Sequence, residues 1–162
     1  PSAMKQELTG TIKALLDEYK KAINELIAVI KPLGIDEIVV IRDEKTANEN
    51  CQSVQTILTH VVYAGYGYTN FIENHYGSKK ERRPRRLFEN AEDYIKELNG
   101  MFDYCEKFFN ENPGIELEEY DSSKKILTHW GQVYDIDQLM EHAIVHVLKH
   151  RRQIQRFLSP QI

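Results

Sequence analysis

The sequence predicts an all-α protein, a four-helix bundle with long crossover connections. Four segments repeat apolar residues at three- and four-residue steps, the period of a helix with one buried face. No segment sustains the alternation of a strand, and two of the three connections between the helical segments are long. A chain of 162 residues is expected to form one domain, over 4–162. We interpret Pro1 to Ala3, which precede Met4, as an expression remnant.

The first predicted helix spans about Met4 to Lys31. Its apolar residues form one continuous stripe, and Pro32 and Gly34 end it. The following segment, 35–50, contains the β-leaning run IVVI. We interpret this segment as a long connection that crosses the bundle, with extended pairing as an option.

The second predicted helix begins at Ser53, a residue type favoured at helix N-caps, and continues to about His75. Gly65 and Gly67 weaken this helix locally. The same two glycines leave room for another backbone or a ligand to approach the helix closely.

The third predicted helix runs from about Phe88 to Asn112, where the sequence Asn-Pro-Gly ends it. A second long connection follows. The fourth predicted helix begins at Asp135, with Gln138 three residues on as a capping box, and runs to about Leu158. All four helices are long enough to span a bundle.

Composition and charge exclude several classes of function. The net charge of −4 gives no global sign of nucleic-acid binding. No apolar run reaches the roughly 18 residues of a membrane span, and no leader resembles a signal peptide, so we expect a cytoplasmic protein without a membrane. The two cysteines, Cys51 and Cys105, form no CxxC pair and hence no thiolate zinc site. The segment 79–86 holds six basic residues in eight, which we interpret as a solvated loop, with binding of an anionic substrate as the alternative.

Three histidines four residues apart, His142, His146 and His150, lie on the last predicted helix. On a helical wheel with Ile136 at zero, His150 falls at about 320°, within the apolar stripe. His146 falls at about 280°, at the edge of the stripe, and His142 at about 240°, further toward solvent or a neighbouring helix. The wheel therefore predicts His146 and His150 as the inward pair and His142 as a peripheral residue.

Buried imidazoles are costly unless their nitrogens are satisfied, and a transition metal is one way to satisfy them. Neutral imidazole is a common ligand of Zn²⁺, Ni²⁺, Cu²⁺ and Fe²⁺, and the four-residue spacing lets two rings converge on one ion. His60 lies in the middle of the second predicted helix and can point inward as well. Three protein ligands would leave open positions for water or substrate, as in catalytic sites.

Two segments carry a family resemblance. SVQTILTH, residues 53–60, resembles the second-helix motif of the DinB/YfiT-like metalloenzyme superfamily, in which a serine cap is followed seven residues later by a metal histidine. HVLKHRRQI, residues 146–154, is similar to the last-helix signature of that superfamily. The long first helix, both long connections and the total length extend the resemblance over nearly the whole chain.

The resemblance implies a bundle with up-down-down-up topology and a divalent metal, for which we expect Zn²⁺ or Ni²⁺. Its three histidines transfer onto His60, His146 and His150. Members with assigned activities include thiol-dependent S-transferases and isomerases, while many others have none assigned. The resemblance therefore implies a metal-dependent transferase or hydrolase that acts on a small molecule, with a low-molecular-weight thiol as a candidate substrate. It also implies a homodimer.

The residues leave a second function open, a non-catalytic bundle that binds a ligand or partner and keeps its histidines as satisfied core residues. No general base stands out among Glu141, Asp137, His129 and His142. Trp130 is a candidate lid, and ordinary loop packing is the alternative. Gln153, one turn beyond the histidine pair, could donate a hydrogen bond to a ligand, with a surface amide as the alternative. The candidates for residues behind the ligands or in the pocket wall are His142, Gln153, His129 and Tyr63.

Overall fold

The computed structural model describes Leu8 and residues 10–159. The predicted remnant and the predicted helix start at Met4 lie outside the described residues. Four long helices and one short helix make up most of the described chain, with a small two-stranded sheet in the last connection. The helices are α1 (Gly10–Ile30), α2 (Ile35–Val39), α3 (Val54–His75), α4 (Ala91–Glu111) and α5 (Ile136–Leu158), and the strands are β1 (Ile126–Leu127) and β2 (Val133–Tyr134).

The packing order of the long helices confirms an all-α bundle with crossover connections. Helix α1 packs against α4 and α5, and α3 packs against the same two helices. Helices α1 and α3 therefore lie diagonally opposite each other in the bundle, and so do α4 and α5. The connections 31–53 and 112–135 must cross it. In the second connection, β1 and β2 pair antiparallel, with Ile126 opposite Tyr134.

Side-chain caps set where the helices begin. The Ser53 hydroxyl accepts a hydrogen bond from the Thr56 amide at 3.0 Å, as the sequence predicted for α3. In α5, Asp135 and Gln138 form the predicted capping box, with distances of 2.8 and 3.0 Å. The expected start of α4 at Phe88 is wrong by three residues. Asn90 caps that helix by accepting from the backbone amide of its third residue at 2.9 Å.

The segment with the run IVVI is helical at its start, not extended. Residues Ile35–Val39 form α2, and the side chain of Ile38 is fully buried. Asp36 and Glu37 lie in the first turn, where carboxylates favour a helix. Helix α2 packs against α3, so the apolar contact of Ile38 outweighs the weak strand propensity of this segment.

The core lies where the apolar stripes of the four long helices meet. Gly65 allows α3 and α4 to approach each other, because a Cβ atom at this position would lie 2.2 Å from Met101 Sδ. None of the helices among the described residues combines the length and apolarity needed to cross a membrane. Fully buried side chains come from all four long helices and include Tyr19, Ile23, Ile57, Leu58, Tyr94, Leu98, Phe109 and Leu139.

Candidate metal centre

Three imidazoles from two facing helices converge inside the bundle. His60 lies on α3, and His146 and His150 lie one turn apart on α5, which packs against α3. His60 Nε2 is 3.0 Å from His146 Nε2, and His150 Nε2 is 3.2 Å from the same atom. One ligand atom from each of the three residues falls within 4.8 Å of the others. The three histidines predicted from the sequence are thus brought together.

Gln153 fixes the orientation of the innermost ring. His150 is 3% exposed, and its Nδ1 lies 2.7 Å from Gln153 Oε1. Because an amide oxygen only accepts, the His150 Nδ1–H donates to it, the reverse of the direction expected from the sequence. The Nε2 lone pair of His150 then faces the other two rings. His60 has no such support, because its buried Nδ1 makes no hydrogen bond to any described residue.

Burial keeps the three rings neutral at physiological pH. Desolvation, followed by the charge of His150, lowers the pKa of His60 to about 4. Desolvation, with His150 and His60, lowers the pKa of His146 to about 2. Desolvation also lowers the pKa of His150, although the hydrogen bond to Gln153 opposes that effect. Neutral imidazole is the form that binds transition metals, so no proton has to leave before a metal enters.

The donor set fits a divalent transition metal. Two nitrogen ligands at tetrahedral angles on Zn²⁺ lie about 3.3 Å apart, close to the two separations observed here. Hydrogen bonding alone satisfies the cluster poorly. His150 Nε2 is a bare acceptor, and His146 Nε2 can be only one donor or one acceptor. One of the two close nitrogen–nitrogen contacts of His146 then has no proton between its atoms. A cation at the centre would instead accept the Nε2 lone pairs of all three rings.

The cluster lies at the wall of a cavity of about 510 Å³. His142 does not join the three imidazoles. Its ring stacks on Trp130, with 5.0 Å between centroids, and meets Tyr68 edge-on at 5.4 Å. His142 is half-buried and lines the cavity, where it is one of the pocket candidates named from the sequence. Trp130 lines the cavity as well, and its ring packs on those of Tyr68 and Phe71.

The other predicted pocket residues also line this cavity. Tyr63, His129 and Gln153 all contribute to its wall. Desolvation, and then the nearby Arg82, lower the pKa of His129. Glu141, a candidate base from the sequence, is exposed and is not among the residues that form the wall.

Three cationic side chains also line the cavity, Arg82, Arg85 and Lys149, of which sequence reasoning had noted only the first two, as part of the basic segment 79–86. The interpretation of 79–86 as a solvated loop is wrong for Arg82, which is half-buried in the wall, whereas Arg85 is exposed and also lines the cavity. An aromatic partner for both guanidinium groups lies on α3, where Tyr63 meets Arg82 and Arg85. The available signal was Gly67. Its missing side chain leaves the space that Arg82 occupies.

The fold and the three imidazoles place this chain in one class of protein, the helical bundles with a candidate metal site between two helices. The comparison with family models is consistent with that class. The model of the DinB family matches residues 4–159, and the chain belongs to the DinB family. No curated protein matches the chain.

Proposed function

We propose that this protein is a divalent-metal-dependent enzyme of the thiol S-transferase or hydrolase type. The observation that carries the proposal is the convergence of His60, His146 and His150, whose Nε2 atoms lie 3.0 and 3.2 Å apart at the wall of a cavity. Three neutral imidazoles would hold the metal, and Zn²⁺ and Ni²⁺ both suit such ligands. Three ligands leave open positions for a substrate, the arrangement of a catalytic rather than a structural site.

A divalent metal at this position supplies Lewis acidity, which lowers the pKa of a bound water or thiol. The protein's own contribution is to orient the ligands and to enclose the reacting groups. Gln153 holds His150 with its Nε2 lone pair toward the cluster, through the 2.7 Å hydrogen bond. Tyr68 and Trp130 cover the neighbouring wall with aromatic surface, which excludes water from that side.

His142 is the best-placed proton acceptor in this proposal. It lines the cavity next to the cluster, with its ring centroid 6.3 Å from that of His146. Desolvation and then Lys149 lower its pKa, so the ring is neutral at pH 7 and able to accept a proton. His129 is less suitable, because its Nε2 already accepts a hydrogen bond from Arg82. A His142→Asn variant should retain its metal and lose most of its turnover.

Metal content tests the proposal directly. Protein prepared without a histidine tag and reconstituted with Zn²⁺ or Ni²⁺ should contain about one metal per chain by elemental analysis. His60→Ala and His150→Ala should each reduce that content strongly, because each removes one of three ligands. His75→Ala is the matched control, since His75 is exposed and lies outside the cavity. A wild-type protein with almost no metal after reconstitution would overturn the proposal.

The same preparations separate an enzyme from a non-catalytic binding protein. A panel of low-molecular-weight thiols with a generic alkylating electrophile, and a panel of simple esters, should reveal turnover that chelation abolishes. If the protein binds metal at full stoichiometry but turns over neither panel, the non-catalytic binding function would replace the enzyme proposal. The homodimer and the cytoplasmic location stay predictions, and sedimentation of the loaded protein would test the first.

A further inference from the structure

The cavity beside the histidines is lined by positive charge without a compensating carboxylate. Arg82, Arg85 and Lys149 contribute to its wall, and no aspartate or glutamate is among the described residues that line it. None of these three side chains forms an ion pair with a carboxylate in the described part of the chain. The local balance is therefore opposite to that of the whole chain, whose net charge is −4.

Arg82 is held in the wall by its surroundings rather than extending freely into solvent. Its guanidinium carbon lies 3.9 Å from the centroid of the Tyr63 ring, and its Nη2 donates to the Tyr63 carbonyl at 3.2 Å. Its Nη1 donates to His129, and its Nε is buried with no hydrogen-bond partner among the described residues. Such an arrangement orders a long side chain and leaves one of its buried donors unused.

Gly67 provides the space for this guanidinium. A Cβ atom at position 67 would lie 2.2 Å from Arg82 Nη2, far inside contact distance. The guanidinium is the flexible partner in that clash, so an added methyl group would displace Arg82 while the backbone of α3 stays in place. Glycine weakens a helix interior by roughly 1 kcal/mol relative to alanine. Gly67 therefore lowers the stability of α3, and the space left by its missing side chain is occupied by the Arg82 guanidinium.

Arg85 approaches the same aromatic ring from the loop. Its guanidinium carbon lies 4.4 Å from the centroid of Tyr63, so two like charges share one ring. Asn50 accepts a hydrogen bond from Arg85 and provides no charge. Two guanidinium groups close to one ring repel each other, and an anion bound at the cavity wall that both of them line would offset that repulsion through charge-assisted hydrogen bonds.

We propose that Arg82 and Arg85 form an anion-binding subsite of this cavity and that the substrate carries a carboxylate or phosphate group which they bind. The bound anion would direct the remainder of the molecule toward the histidine cluster. The assignment of a substrate rests on the proposed function, whereas the anion site itself does not depend on it. The planar fork of arginine pairs with either oxyanion through two parallel hydrogen bonds.

Trp130 provides the means of measurement. It is the only tryptophan of the chain and lines the cavity. We would titrate the full chain, both Zn²⁺-loaded and metal-free, with succinate at constant ionic strength and follow the tryptophan fluorescence. Inorganic phosphate would be tested on the metal-free protein, and succinamide would serve as the uncharged analogue. We expect saturable binding of succinate or phosphate and none of succinamide. Which anion binds more tightly distinguishes a carboxylate from a phosphate substrate.

Matched variants identify the groups responsible. Arg82→Gln and Arg85→Gln should each weaken anion binding by about tenfold or more, as expected for loss of a charge-assisted hydrogen bond. Gly67→Ala should weaken binding without removing any charge. Arg86→Gln, from the same loop but outside the cavity wall, should leave the affinity within about twofold, as expected of an exposed charge that salt screens. Arg85 is exposed, so its variant should fold even if Arg82→Gln is unstable.

The outcomes separate this inference from the proposed function. Suppose that the protein is unable to hold metal but still binds anions in a way that depends on the arginines. That result would support the subsite and overturn only the enzyme proposal. Binding that is lost in His150→Ala but unchanged in both arginine variants would place the anion at the histidines and overturn the subsite. A loaded wild-type protein that binds no anion would overturn it as well. Arginine variants that change only the unfolding midpoint would also refute the subsite, because they would show that the two side chains merely brace the loop.

Discussion

Removing the acceptor behind His150 should weaken metal binding without touching any ligand. Gln153→Leu takes away the oxygen that lies 2.7 Å from His150 Nδ1. The ring then has two choices. It can keep its proton on Nδ1, which leaves a buried donor unsatisfied in a side chain only 3% exposed, at a cost of about 1–3 kcal/mol. Alternatively, it can move the proton to Nε2, which blocks the lone pair that faces the cluster.

Both choices penalise the metal-bound state. Loss of the partner that orients a ligand histidine typically reduces metal affinity by about 10- to 100-fold. That range corresponds to about 1.4–2.7 kcal/mol, within the cost of the unsatisfied donor. Competition for Zn²⁺ against a chromophoric chelator measures the dissociation constant. Elemental analysis at saturation should still give about one metal per chain, since all three ligands remain.

Two further variants isolate the cause. Gln153→Glu retains an acceptor at the same place and should retain or increase the affinity, because a carboxylate accepts the Nδ1 proton more strongly. Gln155→Leu makes the same chemical change two residues along α5, where the side chain does not line the cavity. An affinity for Gln153→Leu within twofold of the wild type would refute the argument. A loss in Gln155→Leu equal to that in Gln153→Leu would do the same.

Three other changes should follow from the geometry. Saturation with Zn²⁺ at 100 times its dissociation constant should raise the free energy of unfolding by about 2.7 kcal/mol, and a chelator or His150→Ala should abolish the gain in a thermal melt. Burial lowers the pKa of His60 from 6.5 to about 4. The part of the free energy of unfolding that depends on neutral His60 is therefore fully present above pH 6.5 in metal-free protein and should be lost as the pH falls toward 4. Urea midpoints at pH 7.5 and 5 measure that loss, which should be smaller in His60→Gln. Ser53→Ala removes the cap of α3 and should cost about 1 kcal/mol in urea unfolding, whereas Ser123→Ala at an exposed turn should cost less than half as much.

The inward placement of the histidines could be predicted because it depends on helical geometry alone. Four residues turn an α-helix through about 400°, so each step of four shifts the side chain by about 40°. Along α5 this drift carries His150 into the core, His146 to the edge of the apolar face and His142 to the cavity wall. The distances between ring centroids agree with this drift. They are 4.4 Å between His150 and His146 and 6.3 Å between His146 and His142.

The cationic wall could not be predicted in the same way, because it depends on how a loop folds back over a helix. Periodicity says which face of α3 is apolar, but nothing local to 79–86 says that Arg82 returns to Tyr63, nineteen residues earlier in the chain. The start of α4 was misplaced for a related reason. Phe88 fits the apolar pattern, yet its backbone amide donates to the Tyr94 hydroxyl at 3.0 Å instead of entering the helix.

The charges around the cavity link the two proposed ligands. Metal-free, the cavity has three cationic side chains beside neutral histidines, and a divalent ion would add two further positive charges to the same space. An anion held by the arginines therefore favours metal entry, and by thermodynamic reciprocity the metal favours the anion by the same factor. Metal content measured in an anion-free buffer should accordingly fall below that measured with succinate present. Arg82→Gln should reduce this dependence on succinate, although it leaves all three histidines intact.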